Sequence, residues 1–339
     1  MNVEAVRDRL ATVEDPDLEI DIVDLGLVKD IEVDGDLIRV ELILQATGSA
    51  TEDAIVENVE EVLAGLTDEF EVVRVGAHDE QSAVLGSVKN VIAVASGKGG
   101  VGKTTLSTNL ATGLAQRGAS VGLFDADVYG PNAPMMVGET DSPGVTEDER
   151  LIPPSANGVK VMSMAYLVGE DDPVIWRGPM VHKVITQLWD DVEWGELDYL
   201  VIDLPPGTGD TQLTLLQTIP LTGAVIVTTP QDVALHDATK GLEMFARHET
   251  NVLGIVENMA GFRCPDCGSV HEIFDAGGGE ALADRHQLPF LGSVPLDPTV
   301  RRDDGPAVLH DDSDAAAVLR SIAASVADNV GIVTRRRVS

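Results

Sequence analysis

Apolar residues recur at helical spacing over residues 3 to 13, and LVKDIEV and DLIRVELIL then alternate as two strands around Asp34-Gly35. That dipeptide favours a two-residue hairpin, because both central residues of the turn take positive φ. TEDAIVENVEEVLAGL has the period of an amphipathic helix and FEVVRV that of a strand, so residues 1–76 are predicted to form a small α+β domain of order α-β-β-α-β. Residues 77–87, AHDEQSAVLGS, lack a period and read as a linker. From residue 88 to 339 the pattern changes. VIAVAS, SVGLFDA, DYLVIDL, GAVIVTT, NVLGIVEN and PFLGSVP are continuous apolar runs, and helical patterns lie between most of them. Strands buried on both faces and separated by helices form a parallel α/β sheet, whose ligands bind at the carboxyl ends of the strands.

Composition narrows the function. The chain has 339 residues, enough for about two domains of ordinary size. Its 57 acidic residues against 23 Lys and Arg give a formal net charge of -34, yet 44% of the residues are hydrophobic, so it is a folded chain and not a disordered acidic one. Residues 1–87 alone hold 23 acids and 5 bases. So acidic a surface argues against nucleic acid and anionic membrane as partners. Only 7 of the 23 bases are lysine, which fits a halophilic protein dissolved in molar salt, where the Debye length of about 3 Å screens carboxylate repulsion. The N-terminus, MNVEAVRDRL, has no apolar segment of the signal-peptide kind, so a cytoplasmic location is expected. Cys264 and Cys267 form a single Cys-x-x-Cys, which in a reducing compartment points to metal or redox chemistry.

The strand VIAVAS runs into Gly97-Lys98-Gly99-Gly100-Val101-Gly102-Lys103-Thr104-Thr105 and then a helix. This is G-x-x-x-x-G-K-T in the strand-loop-helix setting of a phosphate-binding loop, and it predicts a P-loop NTPase. Glycines let backbone N–H groups turn onto the phosphates, Lys103 reaches the β and γ oxygens, and the Thr104 hydroxyl ligates Mg2+. Asp203, which follows the apolar run of DYLVIDL, is the Walker-B candidate for the metal, and the downstream Pro205-Pro206-Gly207-Thr208-Gly209-Asp210 suits a γ-phosphate-sensing switch. Asp125 and Asp127 end a second strand on the same crevice, and one of them is expected to orient the attacking water. The chain lacks an Asn-Lys-x-Asp guanine-reading motif, which favours ATP.

With a lysine at its second position, GKGGVGKTT resembles the deviant Walker A of the MinD, ParA and nitrogenase iron protein superfamily. GKGGVGKTT, DADVYGPN, WRGPM, DLPPGTGD, TTPQDVAL, ENMAGF, CPDCG and VPLDPTVR, in that order, resemble the Mrp/ApbC iron-sulfur cluster carriers over residues 88 to 310. The resemblance implies an ATP-hydrolysing homodimer that carries a 4Fe-4S cluster and passes it to apo-proteins, working with cluster assembly factors. It implies that Lys98 reaches the ATP of the partner subunit, that Asp127 is the switch I aspartate, and that Asn258 contacts adenine, with Pro295 and Asp297 near the base. The first domain resembles, through EDPDLEIDIVDLGLVKDIEV, the small domain fused to many such carriers. That domain commonly carries Cys-Pro where Ser49 and Ala50 stand here. A hydroxyl does not replace a thiolate as a soft iron ligand, so a docking or regulatory role is expected of this domain.

A 4Fe-4S cluster or a structural zinc takes about four ligands, and this chain has two thiols. A two-fold axis would pair Cys264 and Cys267 with their copies and give one shared cluster. Zinc is the alternative, with His271 as a possible third ligand, and a thioredoxin-like redox pair or a metal-free turn are further readings of CPDCG. The competing function is a MinD/ParA-like spatial regulator with structural zinc. The last helix, DAAAVLRSIAASVADNV, has the apolar face expected of a helix packed on the sheet. It runs toward Arg335-Arg336-Arg337, a basic end of the kind that anchors such regulators to membrane, although that face lacks large aromatics. Arg177 of WRGPM is a candidate for the dimer contact or for pairing with a surface acid.

Overall fold

The computed structural model describes residues 2–76, 87–128, 130–138, 141–167, 191–264, 266–267, 269–297, 300, 305–310 and 313–338. The expected linker, apart from Ser87, and Trp176-Arg177-Gly178-Pro179 lie outside them.

In the N-terminal unit, helix α1 (Val3–Leu10) is capped by the Asn2 side chain, which accepts from the Ala5 N–H, and it buries Val6 and Leu10. The helical spacing read to residue 13 ends early, at the C-cap Ala11. Strands β1 (Val28–Asp34) and β2 (Leu37–Ile43) form the expected hairpin, but Asp34 pairs with Leu37, so the turn is centred on Gly35-Asp36 and not on Asp34-Gly35, and only Gly35, at φ 63°, is left-handed. Helix α2 (Ala50–Ala64) crosses over to β3 (Glu69–Val75), which pairs parallel to β2 and completes a β1-β2-β3 sheet. Ile55, Val59 and Leu63, spaced four apart, are fully buried on one face of α2. Each contributes roughly 1.5–3 kcal/mol relative to exposure.

The larger unit runs β4 (Val88–Ser96), α3 (Lys103–Gln116), β5 (Val121–Asp125), α4 (Ala133–Val137), then the short strands β6 (Gly144–Val145), β7 (Leu151–Ile152) and β8 (Ser155–Ala156), and β9 (Val159–Ser163). It continues through β10 (Leu197–Asp203), α5 (Asp210–Thr218), β11 (Gly223–Thr228), α6 (Asp232–Arg247), β12 (Val252–Arg263), β13 (Val270–His271), α7 (Gly278–His286), β14 (Phe290–Leu296) and α8 (Asp314–Val338). Nine strands form one sheet in the order β13-β12-β11-β4-β10-β5-β9-β8, with β14 also on β12. It is parallel except at β13 and β8. Strand β9 has no counterpart among the strands expected from the apolar pattern, because Val159–Ser163 is short and interrupted by the polar Lys160. The continuous apolar runs reflect burial on both faces. Along β4, Ile92 and Val94 enter the core beneath α3 and α8, whereas Val91, Ala93 and Ala95 enter the opposite one with Phe124, Trp194 and Phe245.

Helix α8 joins the two units. It is long and apolar enough to span a bilayer by length and composition alone, but Leu319, Ile322, Ala323, Val326 and Val330 lie in the core. A Cβ added at Gly113 of α3 would meet the Ala323 Cβ at 2.8 Å, so glycine permits the close helix approach. At the basic end of α8, Arg336 and Arg337 are exposed but Arg335 is buried. Arg335 is 1% exposed, with Nε 2.6 Å from Asp15, one terminal nitrogen 2.6 Å from Asp17 and the other 3.5 Å from Glu52. Asp15 also accepts the N–H groups of Asp17 and Leu18 through its other oxygen. Burial pushes the Glu52 carboxyl above its ordinary range, opposed by the Ala46 N–H and by Arg335. Ser49 caps α2 by accepting from the Glu52 N–H and donates at 2.8 Å to Asp328 of α8, which also accepts from the Ala50 N–H. The residues between β2 and α2 are held by the larger unit as well: Asn90 donates to the Gln45 carbonyl, Tyr199 to that of Thr47 and Arg117 to that of Gly48.

Candidate functional site

The loop between β4 and α3 leaves the sheet at its carboxyl edge, with β10 and β11 flanking β4. Gly97 packs against the backbone of α6, where a Cβ would lie 2.2 Å from the Asp237 carbonyl carbon. Gly99 and Val101 flank Gly100, which has φ 79°, and Gly102 has φ 90°, so two loop residues occupy the left-handed region that favours glycine. Gly102 is the N-cap of α3, and no side-chain hydrogen bond caps the helix. Its first amides and positive dipole end therefore face the crevice with capacity for an anion.

Lys103 and Asp203 form the centre. The Lys103 ammonium, on a side chain 6% exposed, lies 2.8 Å from Asp203 Oδ1 and 3.7 Å from Asp127 Oδ2. The nearer contact lacks hydrogen-bond alignment, which leaves the ammonium's donors unspent. A buried cation with unspent donors beside bare helix amides fits phosphate oxygens. Thr104 Oγ1 donates to Asp203 Oδ2 at 2.6 Å, bringing a hydroxyl and a carboxylate together as hard oxygen ligands suited to Mg2+. Ser107 Oγ donates to Asp203 Oδ1 at 2.6 Å and so fixes the carboxylate from its other side. Sequence reasoning missed Ser107, although its place one helical turn beyond Lys103 marks the same face. Thr105 comes next on the first turn of α3, where its carbonyl accepts from Asn109.

The two aspartates after β5 separate in role. Asp125 is fully buried and accepts from the Asp127 N–H, the Ala133 N–H and the Ser163 hydroxyl. Burial, followed by repulsion from Asp203, pushes its carboxyl up to about 7. Asp125 thus organises the backbone after β5, whereas Asp127 extends toward Lys103 at the crevice.

The Lys98 ammonium donates to Gln231 Oε1 at 3.1 Å. Asn258, on β12, donates through its amide to the Val101 carbonyl at 2.8 Å and so meets the loop's backbone. Asp297 comes directly after β14 and accepts from Ser313, and Pro295 lies within that strand.

Cys264 and Cys267 lie in the turn joining β12 to β13, which is closed by a hydrogen bond from the Cys264 N–H to the Ser269 carbonyl at 2.9 Å. Cys264 is half-buried and Cys267 exposed, and both are free thiols. Hydrogen bonding by the Ser269 side chain and backbone, and then by Cys264, pulls the Cys267 thiol below its ordinary range and favours the metal-binding thiolate. Among the described residues no group of three or more His, Cys, Asp or Glu side chains is placed to hold a metal ion, so His271 does not complete a zinc site with the two thiols.

Loop, lysine, strand-end aspartate and parallel sheet define a P-loop NTPase. Residues 87–327 match the family model of the NUBPL iron-transfer P-loop NTPases, and residues 3–76 match that of an iron-sulfur cluster assembly protein. The chain belongs to the NUBPL iron-transfer P-loop NTPase family. It is 44% identical to the iron-sulfur cluster carrier protein of Deinococcus radiodurans over 96% of this chain and 95% of that one. Among solved structures it resembles a nucleotide-binding protein of Archaeoglobus fulgidus in complex with ADP, at 36% identity and a TM-score of 0.55, covering 71% of this chain and 89% of that one. It also resembles the cell division ATPase MinD of Pyrococcus furiosus, at 25% identity and a TM-score of 0.53, over 70% of this chain and 98% of that one.

Proposed function

We propose that this protein is an ATPase that carries a 4Fe-4S cluster on Cys264 and Cys267, shared across a homodimer, and delivers it to apo iron-sulfur proteins. The observation that carries the reading is the pairing, in one chain of this family, of a complete nucleotide loop with an exposed Cys-x-x-Cys hairpin. Two thiolates per chain fall short of the four ligands a cluster takes, and a second copy supplies the rest. In this reading the N-terminal unit docks and regulates, since Ser49 is committed to a cap and to Asp328.

The chemistry is transfer of the terminal phosphoryl group of ATP to water. Loop amides and Lys103 neutralise charge as it develops on the phosphate oxygens, Asp127 orients the water, and Lys98 leaves Gln231 to complete the site of the second copy. Mg2+, when bound, supplies further charge neutralisation and would be held by Thr104 and Asp203. Asn258 positions the loop and contacts the base.

Anaerobic reconstitution with iron and sulfide tests the carrier reading. Absorbance near 400 nm with roughly four irons per dimer is expected, and Cys264→Ser is expected to lose the iron. Zinc without iron would sink it. The charge of -34 carries a companion proposal, that the protein works in the cytoplasm of a halophile. Loss of the dimer or fold at about 0.1 M salt is expected, where the Debye length is near 10 Å, and full stability there would count against it.

A further inference from the structure

One strand, β12, touches both the nucleotide loop and the thiol hairpin. Glu257 pins it, accepting the N–H groups of Gly277 and Gly279 at the start of α7 at 3.1 and 2.6 Å. The next residue, Asn258, holds the Val101 carbonyl, and the fit is close enough that a Cβ at Gly102 would lie 2.1 Å from the Asn258 amide nitrogen. Val101 sits between the two left-handed glycines of the phosphate loop, so a change of the loop's backbone on phosphate binding acts directly on Asn258.

Beyond Asn258 the strand is irregular. Met259 has φ 58°, a left-handed conformation that is strained for a long side chain. In the pairing with β14, Asn258 lies opposite Val294 and Phe262 opposite Leu296, so four steps along β12 match two along β14. Met259, Ala260 and Gly261 therefore form a bulge. Such bulges bend a strand and re-aim the residues beyond them. Here those residues are Phe262 and Arg263, paired with β13, and then Cys264.

We infer that the Met259 bulge is the relay through which the state of the nucleotide loop reaches Cys264 and Cys267. This rests on the carrier reading for its purpose, but the coupling itself is a property of the protein without cluster. Glu257 is the fixed point, Asn258 the input, the bulge the element that bends, and the thiol hairpin the output. Met259 is a positioning residue. Its left-handed backbone keeps the bulge in a definite bend, and glycine there would accept the same φ without strain and let the strand flex instead of transmitting.

The test uses the full chain, whose only two cysteines make the thiol signal unambiguous. The rate of reaction of Cys264 and Cys267 with a disulfide reagent is measured with and without Mg-ATP, with nucleotide affinity and oligomeric state monitored in the same samples. The wild-type rate is expected to change at least ~3-fold on saturation with nucleotide. Met259→Gly is expected to bind nucleotide with unchanged affinity and to lose most of that change, and Asn258→Ala to lose it as well. Three results would overturn the relay: no nucleotide effect in the wild type, an undiminished effect in Met259→Gly, or a fall in the affinity of Met259→Gly sufficient to explain its loss. Iron content after reconstitution, measured separately, reports on the carrier reading, so failure of one is distinguishable from failure of the other.

Discussion

Arg335 and Lys103 are both buried cations beside carboxylates, yet their surroundings differ in what they leave undone. Each of the three Arg335 nitrogens faces a carboxylate, those of Asp15, Asp17 and Glu52. Lys103 has one close carboxylate at poor alignment, a second at 3.7 Å, and helix amides with no side-chain cap beside it. A planar fork suits a permanent clasp, and a compact ammonium on a flexible stem suits an exchangeable ligand. The difference separates a joint that fixes the N-terminal unit on α8 from a site built to receive phosphate.

The largest effect is expected at the clasp. Arg335→Ala leaves the buried carboxylates of Asp15 and Glu52 without their cation, and removing one partner of a buried ion pair costs about 3–5 kcal/mol. Denaturant unfolding should show that loss, with the N-terminal unit melting first. A variant as stable as wild type would mean that the clasp is decorative. Lys103→Ala comes next. Removing one charge-stabilising donor costs about 10²–10³-fold in turnover. ATP hydrolysis should fall that far while the N-terminal unit stays docked, so the pair of variants separates the two kinds of buried cation. Residual turnover within tenfold of wild type would remove Lys103 from the proposed chemistry.

The two sites also differ in how far the chain reveals them. The nucleotide loop is legible because its parts are local: glycines, lysine and threonine are contiguous, and the apolar run before them announces the strand. Asp203 is legible for the same reason, as the polar end of an apolar run. The clasp is not, because Arg335 lies 320 residues from Asp15 and nothing in a basic triplet says that its first member is buried. Periodicity does identify α8 as a core helix, but not what its last turn meets. The Met259 bulge is hidden for a third reason. A left-handed residue is announced in sequence by glycine or asparagine, and here tertiary pairing imposes it on a methionine.

The smallest effect is the sharpest question about the N-terminal unit. Ser49 stands where the resemblance described above implies a cysteine, and Ser49→Cys places a thiol there without creating a site. The Ser49 position is fully buried, its side chain caps α2, and its hydroxyl donates to Asp328. A thiol caps and donates poorly, so the substitution should cost about 1 kcal/mol, as loss of an N-cap does. Iron bound after anaerobic reconstitution should remain at the wild-type level, because the new sulfur is closed in beneath α8 and offers no second ligand. Extra iron in Ser49→Cys would show that the N-terminal unit opens from α8 far enough to hold metal. The clasp at Arg335 would then be a latch, closed in this structure and released during transfer. Combining Ser49→Cys with Arg335→Ala decides between those pictures: a fixed joint gains no iron in either background, whereas a latch gains it most where the arginine is gone.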